Sequence, residues 1–439
     1  MTNFLNNLAA WLDEHFLPIA DKISSQKHLA AIKDGFIATM PISMVGAISV
    51  MLNNVLLDKT SLFGEMLNSM AFYSDYIQPI IDTTLLPLFN QIWWGTLAMA
   101  VIFSIFTIAY NFAKNANEDG LSAGVIAVSC YLVLLPQQIE GGPWGTISWT
   151  SFSSEAVFTG LIVSLVSAEI FCFVKKKGWV FKMPEQVPPA VSKAFSAMIP
   201  AGFALVVSGI VSVFFAQVLN TNLQVWINMM LQKPLISLGQ SPITLIFLVF
   251  VKQFLWFFGL HGDTIIAPVL DTMYGPALQA NSEAILILGQ AAPYAITRNI
   301  IDIYGMHGGS GVTLALIVAI FIFSKKPQYR DLSKMSLMPG IFQINEPMIY
   351  GLPIVLNPIL AIPFIIVPPV CTFIGWFFTA VIPIAGYIYI SPPWVTPPVL
   401  SAFLATGGDI GATLVSLLTF VVAVLIYAPF VILANKQKD

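Results

Sequence analysis

The chain is poor in charge. Of its 439 residues only 9% are Asp, Glu, Lys or Arg and 57% are hydrophobic, with a mean hydropathy of +0.82. A soluble domain carries about 25% charged residues, so a soluble globular chain is excluded. Arginine is nearly missing: Arg298 and Arg330 are the two present. A net charge of −3 leaves no electrostatic footprint for nucleic acid. Cys130, Cys172 and Cys371 lie within or beside apolar runs, with no CxxC and no disulfide framework. They read as packing residues, and neither a metal nor a cofactor is expected. The short alternating segments of an outer-membrane barrel are absent. The N-terminus, MTNFLNNLAAWLDEHFLPIADKISSQKH, has no basic start followed by an apolar core and a small-residue cleavage site. It reads as an amphipathic helix lying on a membrane surface.

What is present is a series of apolar runs, mostly long enough to cross a bilayer as helices. They predict an all-α polytopic membrane protein with about ten transmembrane helices plus two re-entrant hairpins. The first five spans fall at 29–57, 84–113, 120–136, 156–174 and 198–219. Residues 58–82 read as an external loop, and 184–200 as a separate interfacial helix. Lys175, Lys176 and Lys177 close the fourth span, and by the positive-inside rule that end is cytoplasmic. Lys22, Lys27 and Lys33 before the first span agree, as do Lys436 and Lys438 after the last. Both termini are therefore expected in the cytoplasm.

The character of the chain changes near residue 222. Before it, spans are regular; after it, Lys252, Gln253, His261, Asp263, Arg298, Asp302, His307 and Glu346 intrude into apolar surroundings. Residues 1–221 are read as a scaffold domain, 222–240 as an amphipathic linker and 241–439 as the domain that carries the site. Residues 262–308 are read as an irregular hairpin, and 336–352 as a second one.

The segment IFQINEPMIYGLPIVLNP at 341–358 holds the sharpest signal. A carboxylate beside proline between apolar runs is costly on a lipid-facing helix and is tolerated where backbone lines a protein cavity. Glu346 is thus a candidate for meeting a polar ligand; a solvated loop is the plainer reading. His261, in WFFGLHG, sits between Gly259 and Gly262 at the end of an apolar span. It can donate to or accept from a hydroxyl or phosphoryl oxygen, or be a satisfied helix-end histidine. Gly308, Gly309 and Ser310 belong to GGSG, which opens a helix and offers backbone N–H groups to an anion such as a phosphoryl group. Arg298 needs a counter-charge or a phosphate, and Asp302 one turn away can neutralise it. Trp394, held by four prolines in SPPWVTPP, can stack on a pyranose face or anchor at the interface.

GLHG, the GGSG-opened helix and NEPMIYGLPIVLNP, in that order, resemble the enzyme IIC subunits of the bacterial phosphotransferase system, closest to the lactose/cellobiose/diacetylchitobiose branch. PEQVPPAVSKAFSAMIP and SPPWVTPP are similar to that branch too. The resemblance implies a homodimeric elevator-type transporter in the bacterial cell membrane, with the N-terminal half as dimer scaffold. It implies a β-linked disaccharide substrate, phosphorylated at its C6 hydroxyl from a phosphocysteine on a separate IIB subunit. Glu346 would then be the general base, with His261 beside it, Trp394 stacking on a ring, and Gln253 and Asn345 hydrogen-bonding the substrate; Arg298 is a further substrate-binding candidate on its charge chemistry alone. No soluble domain is legible in the sequence, so IIA and IIB functions are expected on other chains. MHGGSG departs from the branch pattern at His307, where an apolar residue is expected. A proton-coupled secondary sugar transporter, with Glu346 and His261 as the relay, is the alternative.

Overall fold

The structure, a computed structural model, describes residues 26–435 apart from 60–61, 140, 185, 258–260, 353 and 355–357. The expected surface helix within 1–25, Gly259, Lys436 and Lys438 lie outside the described residues. All regular elements among the described residues are helical. That is what an apolar chain requires: hydrocarbon offers no water to the backbone, and a helix satisfies its own N–H and C=O groups.

The chain divides into two compact units. The first comprises Lys22–Val45 and Trp94–Ile236. It takes the opening turns of α1 (Lys27–Met51), then α2 (Ala100–Asn115), α3 (Gly120–Leu134), α4 (Val157–Lys176) and α5 (Pro189–Val218). Helices α2, α3 and α4 pack pairwise, and α5 lies on α3 and α4. Ile105, Phe112, Tyr131, Phe171 and Ala204 form the core. Small residues allow the close approach: a Cβ on Gly160 would sit 2.9 Å from Val101 Cγ1. Residues beyond α5 fasten to the same unit, since Gln232 Nε2 donates to Ser154 O at 2.7 Å and Gln224 Nε2 to Thr150 O at 3.0 Å.

One sequence expectation fails here. Residues 184–200 and 198–219 are not an interfacial helix followed by a span; α5 runs unbroken from Pro189 to Val218, with Pro200 inside it. A proline removes one ladder bond, and the flanking helix in an apolar setting has no better way to satisfy the rest. Val206, Ile210 and Val213 are exposed on this helix, the apolar surface that a lipid solvent demands.

The second unit includes Gly46–Trp93 and Ser237–Asp439. In its first part, π-helical turns at Leu52–Leu57, Tyr73–Ile77 and Ile81–Leu85 alternate with short α-helical stretches, so the expected external loop at 58–82 is largely helical. The later part holds α6 (Pro242–Phe257), α7 (Gly262–Leu286), α8 (Ile300–Tyr304), α9 (Thr313–Phe323), α10 (Pro327–Ile341), α11 (Glu346–Gly351), α12 (Pro358–Trp376) and α13 (Ile410–Ala434). Helix α12 packs on α6 and α13, and α9 on α13 and α10. Leu316, Phe364, Val367, Tyr427 and Val431 fill the space between them. Asp409 caps α13, its Oδ1 accepting from Ala412 N at 2.5 Å.

Residues 262–308 also depart from expectation. Most of the stretch is α7, a 25-residue helix that holds Pro268 and Pro276 within it. The irregular parts are residues 287–299 and the turn that begins at Gly305. The first is pinned by side-chain amides: Asn281 exchanges hydrogen bonds with the Tyr294 backbone at 2.7 and 2.9 Å, and Gln240 with Ile296 at 2.7 and 2.9 Å.

Among the described residues, five helices are long and apolar enough to cross a membrane, or up to seven if each of two bent pairs counts as one span. Gly120–Leu134 and Ser310–Phe323 are shorter apolar helices.

Candidate functional site

The site is assembled around the turn at 307–312, which precedes α9. Gly308, Gly309 and Gly311 have φ of 84°, 92° and 77°. Gly309 also has ψ of −168°, a region that only glycine enters readily. Space there is closed too, because a Cβ on Gly309 would lie 2.7 Å from Asn345 Cγ. The turn is therefore shaped by its glycines and seated against the NEP segment.

Three side chains hold that seat. Gln343, itself at φ 67°, places Oε1 where it accepts from Gly308 N at 2.7 Å and Gly309 N at 3.0 Å. Its Nε2 donates to Thr396 O at 3.1 Å, two residues from Trp394. Asn345 Nδ2 donates to Ser310 O at 2.8 Å, while its backbone carbonyl accepts from Met348 N and Ile349 N as α11 begins. The Ser310 hydroxyl donates to the Asp263 carboxylate.

Asp263 is the hub on the other side. Lys252 Nζ, 1% exposed, pairs with Asp263 Oδ1 at 2.5 Å, and Trp256 Nε1 donates to Oδ2 at 2.8 Å. Lys252 Nζ also lies 2.8 Å from Met306 Sδ. A buried ammonium needs its partner close, and here the partner also fastens α6, the start of α7 and the glycine turn together. His261 stands two residues before Asp263; it is exposed, with its ring centroid 4.4 Å from that of Trp256.

The sequence-predicted residues thus fall into distinct places. The GGSG turn, Asn345 and the start of α11 at Glu346 share one hydrogen-bonded body, joined through Asp263 to the His261 segment and through Gln343 to the Trp394 loop. Trp394 is 57% exposed there. The amides of Gly308 and Gly309 are engaged by Gln343, and the Ser310 hydroxyl by Asp263, so these donors are spent within the chain. Arg298 belongs to a separate cluster: Nε meets Asp271 Oδ1 at 2.5 Å and Nη1 meets Asp302 Oδ2 at 3.1 Å. Its charge is answered by the pair, as the i,i+4 spacing to Asp302 allowed. Gln253 is fully buried, and neither of its side-chain amide atoms has a partner among the described residues. Buried polar side chains are nearly always hydrogen-bonded, so this amide stands out.

His307 is fully buried. Its Nε2 meets Thr419 Oγ1 at 2.9 Å, and its ring stands edge-on to Phe420 at 5.8 Å. Thr419 Oγ1 also donates to Ser416 O at 2.8 Å. His307 therefore ties the glycine turn to α13.

Sequence reasoning missed Gln343 and Asp271. Nothing about an isolated glutamine or aspartate sets it apart; Gln343 gains its role from a positive φ, and Asp271 from a contact 27 residues away. Among the described residues, no group of three or more His, Cys, Asp or Glu side chains could hold a metal ion.

Comparison with known proteins bears on this arrangement. The family profile described as "Phosphotransferase system, EIIC" matches residues 33–368. The chain is 30% identical to the "PTS system cellobiose-specific EIIC component" of Lactococcus lactis subsp. lactis (strain IL1403), over 99% of each. It is 34% identical to the "Lichenan permease IIC component" of Bacillus subtilis (strain 168), over 99% of this chain and 95% of the relative. The crystal structure of the transporter ChbC, the IIC component from the N,N'-diacetylchitobiose-specific phosphotransferase system, superposes with a TM-score of 0.88. It is 31% identical and covers 98% of each chain.

Proposed function

The chain belongs to the phosphotransferase system EIIC family, and from that premise we propose a cycle in which a β-linked disaccharide is carried across the membrane and phosphorylated. As a family member it is a multi-pass membrane sugar permease of the cellobiose and diacetylchitobiose kind. The finer reading is that a separate phosphocysteine IIB subunit donates the phosphoryl group to the C6 hydroxyl. Glu346 accepts the hydroxyl proton as the bond to phosphorus forms, which is general-base catalysis. His261 hydrogen-bonds the reacting oxygen, Trp394 stacks on a ring, and Gln253 and Asn345 contact hydroxyls. Arg298 stays in its separate cluster with Asp271 and Asp302, and the turn at Gly308, Gly309 and Ser310 shapes the site that receives the phosphoryl group. A homodimer working by an elevator motion, with both termini cytoplasmic, completes the proposal.

One observation carries it. The glycine turn, the Asn345–Glu346 step and the Trp394 loop, far apart in sequence, are joined by Gln343 and Asn345 into one body. Phosphoryl transfer needs mainly positioning, and a site built this way supplies it. The proton-coupled alternative finds no support among the relatives.

The decisive measurement is uptake of radiolabelled cellobiose and diacetylchitobiose into vesicles, with and without phosphorylated IIB. Label recovered as sugar 6-phosphate only when IIB is present is the expected result. Free sugar driven by a proton gradient would overturn the mechanism. Glu346→Gln is expected to keep sugar affinity while lowering phosphorylation by about 100-fold or more. Trp394→Ala is expected to weaken sugar binding by about 1–3 kcal/mol, as loss of aromatic stacking on a flat ring does elsewhere. Unchanged affinity by isothermal titration would make Trp394 an interfacial anchor.

A further inference from the structure

The first unit carries a feature apart from the candidate site. Where α1 begins and α2 and α4 end, a cavity of about 420 Å³ opens between them. Lys27, Lys176, Lys177, Asn115 and Glu169 line it, over an apolar wall that includes Phe112. Lys27 Nζ pairs with Glu169 at 2.6 Å and lies 5.3 Å from the Phe112 ring centroid. Lys176 and Lys177 form no ion pair among the described residues. Three ammonium groups against one carboxylate leave the cavity net positive, with Lys177 Nζ 5.6 Å from the ring centroid of Phe173, which also lines it. The neighbouring Lys175 is outside this set, since it pairs with Glu118 at 3.5 Å.

A second hollow adjoins the first and shares Glu169 with it. It is a groove of about 350 Å³ lined by His28, Ile162, Leu165, Val166 and Ile170. Those α4 positions belong to a helix long and apolar enough to cross a membrane. At 1.5 Å per residue, Ile162 to Ile170 extends roughly 12 Å along it. A basic cavity of ligand size at the end of a spanning helix, continued by a narrow apolar groove toward the bilayer interior, has the two-part chemistry of a phospholipid.

We propose that the Lys27/Lys176/Lys177 cavity and the α4 groove together bind one anionic phospholipid, its phosphate diester among the lysines and an acyl chain along Ile162, Leu165 and Val166. The charge balance selects the class. Phosphatidylglycerol brings a net negative charge to this net positive cavity, whereas phosphatidylethanolamine brings its own ammonium. The groove separates a lipid from free phosphate, which has no use for it.

The test is native mass spectrometry of the purified full chain in detergent, titrated with dioleoyl phosphatidylglycerol, dioleoyl phosphatidylethanolamine or inorganic phosphate. The wild type should retain one phosphatidylglycerol at least about tenfold more tightly than phosphatidylethanolamine. Lys176→Gln with Lys177→Gln should abolish that preference, while gel filtration and helical circular dichroism stay unchanged. Val166→Trp, or Leu165→Phe if the first does not fold, should weaken phosphatidylglycerol by a similar factor. Equal retention of both lipids by the wild type, or a preference that survives the lysine substitutions, would overturn the proposal. So would phosphatidylglycerol binding that groove filling leaves intact and inorganic phosphate displaces, since that describes a phosphate site without a lipid.

Discussion

The two compact units bury polar groups in different ways. In the first, buried hydroxyls mostly return to their own helix: Ser164 Oγ donates to Leu161 O at 2.8 Å and Ser208 Oγ to Ala204 O at 2.9 Å. In the second, buried polar groups reach across elements. Asn281 spans to Ile388 O at 2.9 Å, Gln343 joins two loops, and Lys252, the one charged residue fully buried among the described residues, reaches Asp263. Buried side-chain polar atoms without a partner divide the same way: among the described residues Thr159 is the single case in the first unit, while Gln253, Tyr274, Thr297, Tyr304 and others fall in the second. Local hydroxyl bonds make a helix that can be packed and left alone. Cross-element bonds make a structure whose parts depend on one another.

That contrast fixes where substitutions should hurt. The largest loss is expected for Asp263→Asn, which strands the Lys252 ammonium at 1% exposure. Removing one partner of a buried pair costs about 3–5 kcal/mol, so thermal unfolding in detergent should move sharply downward. The double change Lys252→Met with Asp263→Leu should recover most of it. A single Asp263→Asn chain that melts like the wild type would show that the pair does not fasten the site.

Gly309→Ala comes next. Its backbone conformation alone should cost about 1–3 kcal/mol, and the added methyl would displace Asn345 from Ser310. Reduced sugar phosphorylation with a smaller loss of thermal stability is the expected pattern. Full activity would mean that the turn and the NEP segment do not need their close approach. The smallest effect is expected in the first unit: Ser164→Ala, although fully buried, removes only a hydroxyl bonded within its own helix. A change below about 1 kcal/mol in the same unfolding assay agrees with the contrast, and a larger one would erase it.

Legibility followed the same division. The span expected at 156–174 is α4 at Val157–Lys176, and the one expected at 120–136 is α3 at Gly120–Leu134. Continuous apolar runs with a charge or cap at each end leave little choice. Helix α7 was illegible because Pro268, Gly275, Pro276 and several polar residues imitate a loop, while neighbours supply the packing that keeps it helical. At the candidate site, residue types betrayed the general place: Lys252, Asp263, His307 and the NEP step all stand out against an apolar background. Their pairing did not show. Asp263 finds Lys252 eleven positions back and Ser310 forty-seven positions ahead, and only the folded chain brings those three together. The pair Arg298–Asp302 was legible because only four positions separate its members, although Arg298 stands in the turn before α8.

The bridge made by Gln343 has a kinetic meaning. Three loops that wander separately would each have to be captured by an incoming ligand, and every capture would subtract freedom from the encounter. One amide, accepting from Gly308 and Gly309 and donating to Thr396, has already brought them to rest. A visitor therefore meets loops already joined to one another, and less of the ordering cost of association falls on the protein.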